Sequence, residues 1–265
     1  MSANRADLLA AVERSPQAAG AHDREAWVGL FATDGVIEDP VGSRPHRGRA
    51  AIARFYDTFI APRDITFHRD ADFVAGSTVV RDLTLEVRMG SAVTMTIPAY
   101  LRYDFDETLS IVRLQAFWEL PAMTRQFVRN GRGAVPAGLG LVLALLGNQG
   151  PAGTAGFLAG FGGAATRGKH HLAGLLDDAC AGDQVAVKRR LGDAATLTRD
   201  AGARIGTTEV VALLHGCRWD GMIRAGRTVV ARARRDGRRV LVFGDLEMRP
   251  THFRALHVFA DDQPT

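Results

Sequence analysis

The chain has 265 residues, 46% of them hydrophobic and 23% charged, enough apolar material for more than one ordinary core; wholesale disorder is excluded and two domains are expected. Its 33 basic and 29 acidic residues are interspersed rather than gathered into a stripe, so a formal charge of +4 does not imply nucleic-acid binding. The two cysteines, Cys180 and Cys217, lack metal-ligand spacing and make no disulfide framework, and no basic-then-apolar leader opens the chain, which points to the cytoplasm.

From the N-terminus, residues 6–14 and 23–31 read as amphipathic helices, the second opening on Asp23 as an N-cap. A strand then ends at the acidic pair Glu38-Asp39, a Pro/Gly loop follows, and residues 49–59 read as a third helix. Four β-rich runs come next, at 65–74, 78–89, 92–105 and 109–118. The third alternates, with Met95, Ile97, Ala99, Leu101, Tyr103 and Phe105 on one face and Tyr100 and Arg102 on the other. Helices first and a long antiparallel sheet afterwards give an α+β domain whose curved sheet is covered on one face by the helices.

Residues 133–166 contain no charged side chain and are crowded with glycine and alanine. The most apolar part, 139–146, is far shorter than the roughly 20 residues that span a bilayer, so no transmembrane segment is expected. A pair of short helices packed over the domains or over a pocket accounts for the composition. The alternative is a surface segment in peripheral contact with lipid or a hydrophobic ligand, which would lack the Lys and Arg face of an interfacial helix.

After this segment the order recurs: helices at 170–181, 183–191 and 208–214, then strands at 228–235, 239–249 and 251–259. Gly182-Asp183 parallels His22-Asp23, and Ala255-Leu-His-Val-Phe259 parallels Leu114-Gln-Ala-Phe-Trp118. Asp236-Gly237 marks a tight hairpin, and the arginines around it, 232–239, read as its solvated tip rather than a phosphate patch. The expected organisation is a first domain at 1–125, a linker or lid at 126–168, and a degenerate second copy at 169–265. His170-His171 opens that copy without acidic or cysteine ligands at metal spacing, so no metal site is expected. His46, in the loop after the acidic pair, reads as a solvated side chain, and His68, at the start of a strand, has no partner visible in the sequence.

The segment that can carry chemistry is Val36 to Tyr56. Pro40 removes a backbone donor and holds Asp39 in extended geometry, which fixes the direction of its carboxylate. By composition and spacing alone, Asp39-Pro40 reads as a turn initiator with a solvated carboxylate. The run Glu38-Asp-Pro-Val-Gly-Ser43, followed by Gly48, Ala50-Ala-Ile52 and Phe55-Tyr56, and later Phe105-Asp106 and Leu114-Gln-Ala-Phe-Trp118, resembles Δ5-3-ketosteroid isomerases of the nuclear transport factor 2-like, or SnoaL-like, superfamily over roughly the first 120 residues.

That resemblance implies a cone-shaped, cystatin-like α+β barrel in two tandem copies. It implies an isomerase-like enzyme that shifts a C=C bond beside a ketone in a steroid or similar fused-ring substrate, without a cofactor, with Asp39 as base. In the family a tyrosine on the first helix and a protonated aspartic acid on the sheet donate to the oxyanion. Here Ser15 and Leu101 stand at those two places. Tyr103, on the same strand face as Leu101, is the substitute donor, and Tyr56 matches a tyrosine that supports the donor network. Ser15-Pro16 is also expected to disturb the first helix. Trp118 matches an aromatic that lines the steroid cavity, with Phe55, Ile97, Leu101, Ser15 and Phe117 as further substrate contacts.

In the second copy Thr198 falls where the base would be, with Asp200 two residues on, so that copy is expected not to catalyse. Family members pair through the exposed sheet, which implies an intramolecular pseudo-dimer or a homodimer. Two rivals stay open: a cyclase or dehydratase acting on a polyketide-like substrate, and a hydrophobic-ligand-binding or assembly module without turnover.

Overall fold

The structure is a computed structural model that describes residues 3–89, 93–129, 165–192, 194–200, 202–247 and 253–261. These fall into two compact units, 3–72 with 77–129, and 165–261 with 73–76. Residues 130–164, which hold nearly all of the uncharged segment, lie outside the described residues, and so do the expectations of a lid and of lipid contact there. No described helix is long and apolar enough to cross a membrane.

The first unit opens with α1 (Arg5–Gly20). Asn4 caps it: its side chain accepts from the Asp7 N–H at 3.0 Å while the Asp7 carboxylate accepts from the Asn4 N–H at 3.1 Å, a reciprocal capping box. The expected break at Ser15-Pro16 does not occur, and the helix runs through Pro16 to Gly20. Leu8, Val12, Ser15 and Ala19 recur at helical spacing and are all buried, and that packed face outweighs the one backbone hydrogen bond that proline removes. Next come α2 (Arg24–Gly29), capped by Asp23 through the Ala26 N–H at 2.9 Å, and β1 (Phe31–Glu38). The short β2 (His46–Arg47) leads into α3 (Gly48–Phe55), which continues as a π-helical turn, Tyr56–Ile60.

The long strands β3 (Asp64–Ala75), β4 (Thr78–Met89), β5 (Val93–Phe105) and β6 (Ile111–Phe117) complete a six-stranded sheet of order β2-β1-β6-β5-β4-β3. β1 pairs antiparallel with β2, β4 with β5 and β5 with β6, whereas β1 and β6 run parallel, and the sheet does not close. Register fixes which side chains face the helices. Val79, Arg81, Leu83, Leu85 and Val87 of β4 lie opposite Tyr103, Leu101, Ala99, Ile97 and Met95 of β5, and Leu101 lies opposite Ala116 of β6.

A helix not anticipated from the sequence follows, α4 (Leu120–Arg129). Gln126 docks it: its Oε1 accepts from the Thr96 N–H at 3.0 Å and its Nε2 donates to the Thr96 carbonyl at 2.8 Å. The pairing of β6 with β5 reaches only to Tyr100, so the glutamine amide stands in for a neighbouring strand where β6 has already ended.

The second unit repeats this plan. It has helices α5 (Ala165–Ala181), α6 (Gln184–Leu191) and α7 (Thr207–Leu214), and strands β7 (Thr196–Arg199), β8 (Ala203–Arg204), β9 (Arg218–Ala225), β10 (Thr228–Arg235), β11 (Arg238–Leu246) and β12 (Phe253–Asp261). Sheet order is β8-β7-β12-β11-β10-β9, the same topology, again with one parallel pair, β12 with β7. The hairpin at Asp236-Gly237 forms with both residues at positive φ, 47° and 81°. β9 was not foreseen, because charges and Gly221 interrupt its alternation.

Register makes the repeat exact enough to map residue onto residue. A threonine-to-aspartate bond crosses corresponding strands in both units, Thr78 Oγ1 to Asp104 at 2.7 Å and Thr228 Oγ1 to Asp245 at 2.6 Å. The register shifts just after both aspartates, at Asp104/Phe105 and at Asp245/Leu246. The chain is two tandem copies of one α+β cone fold.

Candidate functional site

Asp39 sits just past the end of β1. The Val41 N–H donates to the Ala116 carbonyl at 2.8 Å, and Gly42, at φ 96°, turns the chain back in a conformation that favours glycine. The Asp39-Pro40 peptide is cis. Trp118, just beyond β6, donates its indole Nε1–H to Asp39 Oδ1 at 2.6 Å. The carboxylate is half-buried, still reachable, yet protein surrounds it closely enough that burial pushes its pKa up to about 6 against the opposing pull of the Trp118 bond. This is not a solvated turn aspartate. It is ionised at neutral pH and holds its proton only weakly, the range in which a carboxylate both takes and returns a proton.

Tyr103 is buried within the same cone. Burial pushes its phenol up to about 12, a hydrogen bond with Ser15 and the charge of Arg81 pull it back, and Asp72 and Asp39 push it further up. Ser15 and Tyr103 are thus brought together, a hydroxyl pair where the family pattern has a tyrosine on the helix. Leu101, also buried, lies opposite Arg81. Arg81 was missed from the sequence. It is 2% exposed, gives a two-point fork to Asp72 at 2.8 and 3.1 Å, and reaches Glu13 at 2.9 Å. An arginine in the otherwise apolar stripe Val79, Leu83, Leu85, Val87 was the available signal.

Ile97 belongs to an apolar cluster with Val87, Val93 and Met95, against which Ile65, Trp118, Met123 and Phe127 pack. Met123 and Phe127 come from α4 and were also missed; their spacing from Leu120 is that of an amphipathic helix. Phe55 is buried and meets the His46 ring at 5.1 Å and the Phe59 ring at 5.0 Å. His46 is no solvated loop histidine: burial, then the charges of Arg54 and Arg44, lower its pKa to about 4, so the ring is neutral at pH 7.

Two expected site residues stand apart. Phe117 lies opposite Tyr100, on the sheet face away from Leu101, Tyr103 and Trp118, because strand side chains alternate. Tyr56 packs on Trp27, ring centroids 5.5 Å apart, and its buried hydroxyl has no hydrogen-bond partner among the described residues, so no bond ties it to Ser15 or Tyr103.

The second copy carries none of this set. The bond from the Asp200 N–H to the Val258 carbonyl corresponds to that from Val41 to Ala116, and the register of β12 with β7 sets Thr198 level with Glu38, not with Asp39. Between those two points the first copy has Asp39 and Pro40, the second only Arg199. By the same register Ala260 stands for Trp118 and Gly244 for Tyr103. Ser15, eight residues before the cap Asp23, maps to Leu175, eight before the cap Asp183. Leu172, Leu175, Leu176, Val240, Val242 and Phe253 fill the interior as one core.

The first unit is a cone-shaped α+β domain that holds one desolvated, indole-bound carboxylate and a buried hydroxyl pair. Residues 12–114 match the family model described as the SnoaL-like domain, and there the chain carries a SnoaL-like domain of the nuclear transport factor 2-like superfamily. Among solved structures, it is 31% identical to a Δ5-3-ketosteroid isomerase from a Mycobacterium species, over 44% of this chain and 95% of that one, with a TM-score of 0.42. A Mycobacterium tuberculosis protein in complex with estradiol-17beta-hemisuccinate is 28% identical over 43% of this chain and 95% of that one, TM-score 0.41. An epoxide hydrolase/cyclase-like enzyme of pyran ring formation in the polyether salinomycin is 20% identical over 44% and 95%, TM-score 0.42.

Proposed function

We propose that the first unit is an isomerase-like enzyme that shifts a C=C bond by proton transfer next to a ketone in a steroid or similar fused-ring hydrophobic substrate. The observation that carries this reading is the Asp39 carboxylate, desolvated, fixed by Trp118 at 2.6 Å and raised to about 6. Asp39 removes the proton activated by the carbonyl, and the electron pair moves onto the ketone oxygen. The same carboxyl returns the proton at the far end of the dienolate. Tyr103 donates to the developing oxyanion, held by Ser15, with the nearby Arg81 charge offsetting part of the effect of burial on its phenol. Arg81 itself stays bound to Asp72 and Glu13 and acts through the tyrosine. Trp118, Leu101 and Ile97 supply apolar wall, and Phe55 backs it.

The test follows the absorbance of the conjugated enone formed from a Δ5-3-ketosteroid. Asp39→Asn is expected to abolish turnover, and equal rates in wild type and variant would remove Asp39 as base. Tyr103→Phe is expected to cost about a hundred- to a thousandfold in kcat, the usual loss for one oxyanion donor; an unchanged kcat would reassign that role. A second reading, a binding module without turnover, draws on the Tyr56 hydroxyl, which has no partner among the described residues, and the apolar Leu101. Tight steroid binding by wild type with no enone formed would favour it.

A further inference from the structure

Two arginines of the first unit are buried, and their surroundings differ in kind. Arg81 is balanced by two carboxylates, Asp72 and Glu13. Arg63, 9% exposed, pairs with no carboxylate among the described residues. Its Nη1 donates to the Thr58 carbonyl at 2.8 Å, and its guanidinium lies 5.9 Å from the centroid of the Phe59 ring. The Thr58 bond caps the end of the π-helical turn and engages one of the five N–H donors of the fork, against a neutral oxygen. A guanidinium taken out of water in this way is left with an uncompensated charge, and burial alone lowers its pKa to about 10.

The neighbours of Arg63 connect it to the proposed site by two routes. Phe59 meets Phe55, and Phe55 meets His46 of the loop that follows Asp39. Ile65, two residues on from Arg63 at the start of β3, packs against the cluster of Met95 and Ile97 in which Trp118 also sits. The Phe59 and Phe55 rings stand between Arg63 and the His46 loop that follows Asp39.

We infer that Arg63 is an anion-binding subsite of the same pocket, and that the preferred ligand is a fused-ring hydrophobic molecule bearing a carboxylate at the end remote from the Asp39 chemistry. The inference rests on the pocket reading above and names its substrate class. A planar carboxylate matches the guanidinium fork, and the apolar surroundings strengthen the pair by excluding water.

The experiment compares 3-oxoandrost-4-ene-17β-carboxylic acid with its methyl ester at pH 7.5, by calorimetry on the full chain. Wild type is expected to bind the acid at least about tenfold more tightly than the ester, the scale of one hydrogen bond to a charged group. Arg63→Met is expected to erase that preference while leaving ester affinity within about twofold, and Arg63→Lys, which keeps the charge without the fork, to leave part of it. A wild type that binds the ester but does not prefer the acid overturns the Arg63 subsite alone, as does a preference that survives Arg63→Met. A wild type that binds neither overturns the pocket reading and the subsite together. Should Arg63→Met fail to fold, the wild-type ratio and Arg63→Lys decide: undiminished preference in the lysine variant also overturns the role of the fork.

Discussion

At the scale of single residues, the desolvated carboxylate of Asp39 costs stability, and the sign of that cost can be measured. Its pKa is about 6 in the folded chain against an ordinary 3.8, so the folded state holds the extra proton between those values. Stability from this group is therefore greatest below about pH 4 and falls as pH rises through about 6, by at most roughly 3 kcal/mol for a shift of this size. Asp39→Asn keeps an acceptor for the Trp118 N–H and removes the buried charge. The variant is expected to melt higher than wild type at pH 8 and level with it at pH 4, a comparison that thermal unfolding at the two pH values makes directly. Activity runs the other way: kcat/KM should fall on the acid side with an inflection near pH 6, where the base becomes protonated. Trp118→Phe deletes the hydrogen bond that favours the ionised form, so this limb should move to higher pH. A limb that stays in place would mean the indole bond does not tune the base.

At the scale of elements, the legible features were those written in local chemistry. The capping aspartates Asp23 and Asp183, the alternation of β5 and the Asp236-Gly237 hairpin each follow from residues adjacent in the chain. What escaped depended on partners distant in sequence. The bond from Trp118 to Asp39 spans 79 positions, and only the sheet brings its ends together. Pro16 looked like a break because a broken backbone bond is local, whereas the packed face that keeps α1 whole is not. Phe117 was placed in the pocket by its neighbour Trp118, although adjacent strand residues face opposite ways. α4 straddles the domain boundary expected after residue 125, since Leu120-Pro121 and the two arginines obscure the apolar spacing of Met123 and Phe127. Its hold on the sheet is the amide clamp of Gln126 on Thr96. Gln126→Ala is expected to cost about 1 kcal/mol and to speed hydrogen exchange at the Thr96 amide by roughly tenfold, because that N–H loses its acceptor. Unchanged protection at Thr96 would show that the clamp is not what holds the helix.

At the scale of the whole molecule, two copies of one fold have taken opposite interiors. The first keeps a carboxylate, an indole and two hydroxyls where the second has a shortened loop at Arg199, Ala260, Gly244 and Leu175, and around the last two of these the second interior is an apolar core. Gly244 shows how complete the filling is: a Cβ there would lie 2.7 Å from Cε1 of Phe253, a buried ring with little room to yield, and 3.5 Å from Leu172. The position that carries a phenol in one copy cannot accept a methyl group in the other without displacement. Gly244→Ala is accordingly expected to destabilise the second unit by roughly 1–3 kcal/mol through overpacking. The steroid kcat/KM should stay at the wild-type value at temperatures where both units remain folded, because every group assigned to the chemistry belongs to the first copy. Thermal unfolding followed by enzyme assay at 25 °C separates the two effects. A lowered kcat/KM in a fully folded Gly244→Ala protein would mean that the second interior contributes to catalysis, and would end the division of roles between a working cone and a filled one.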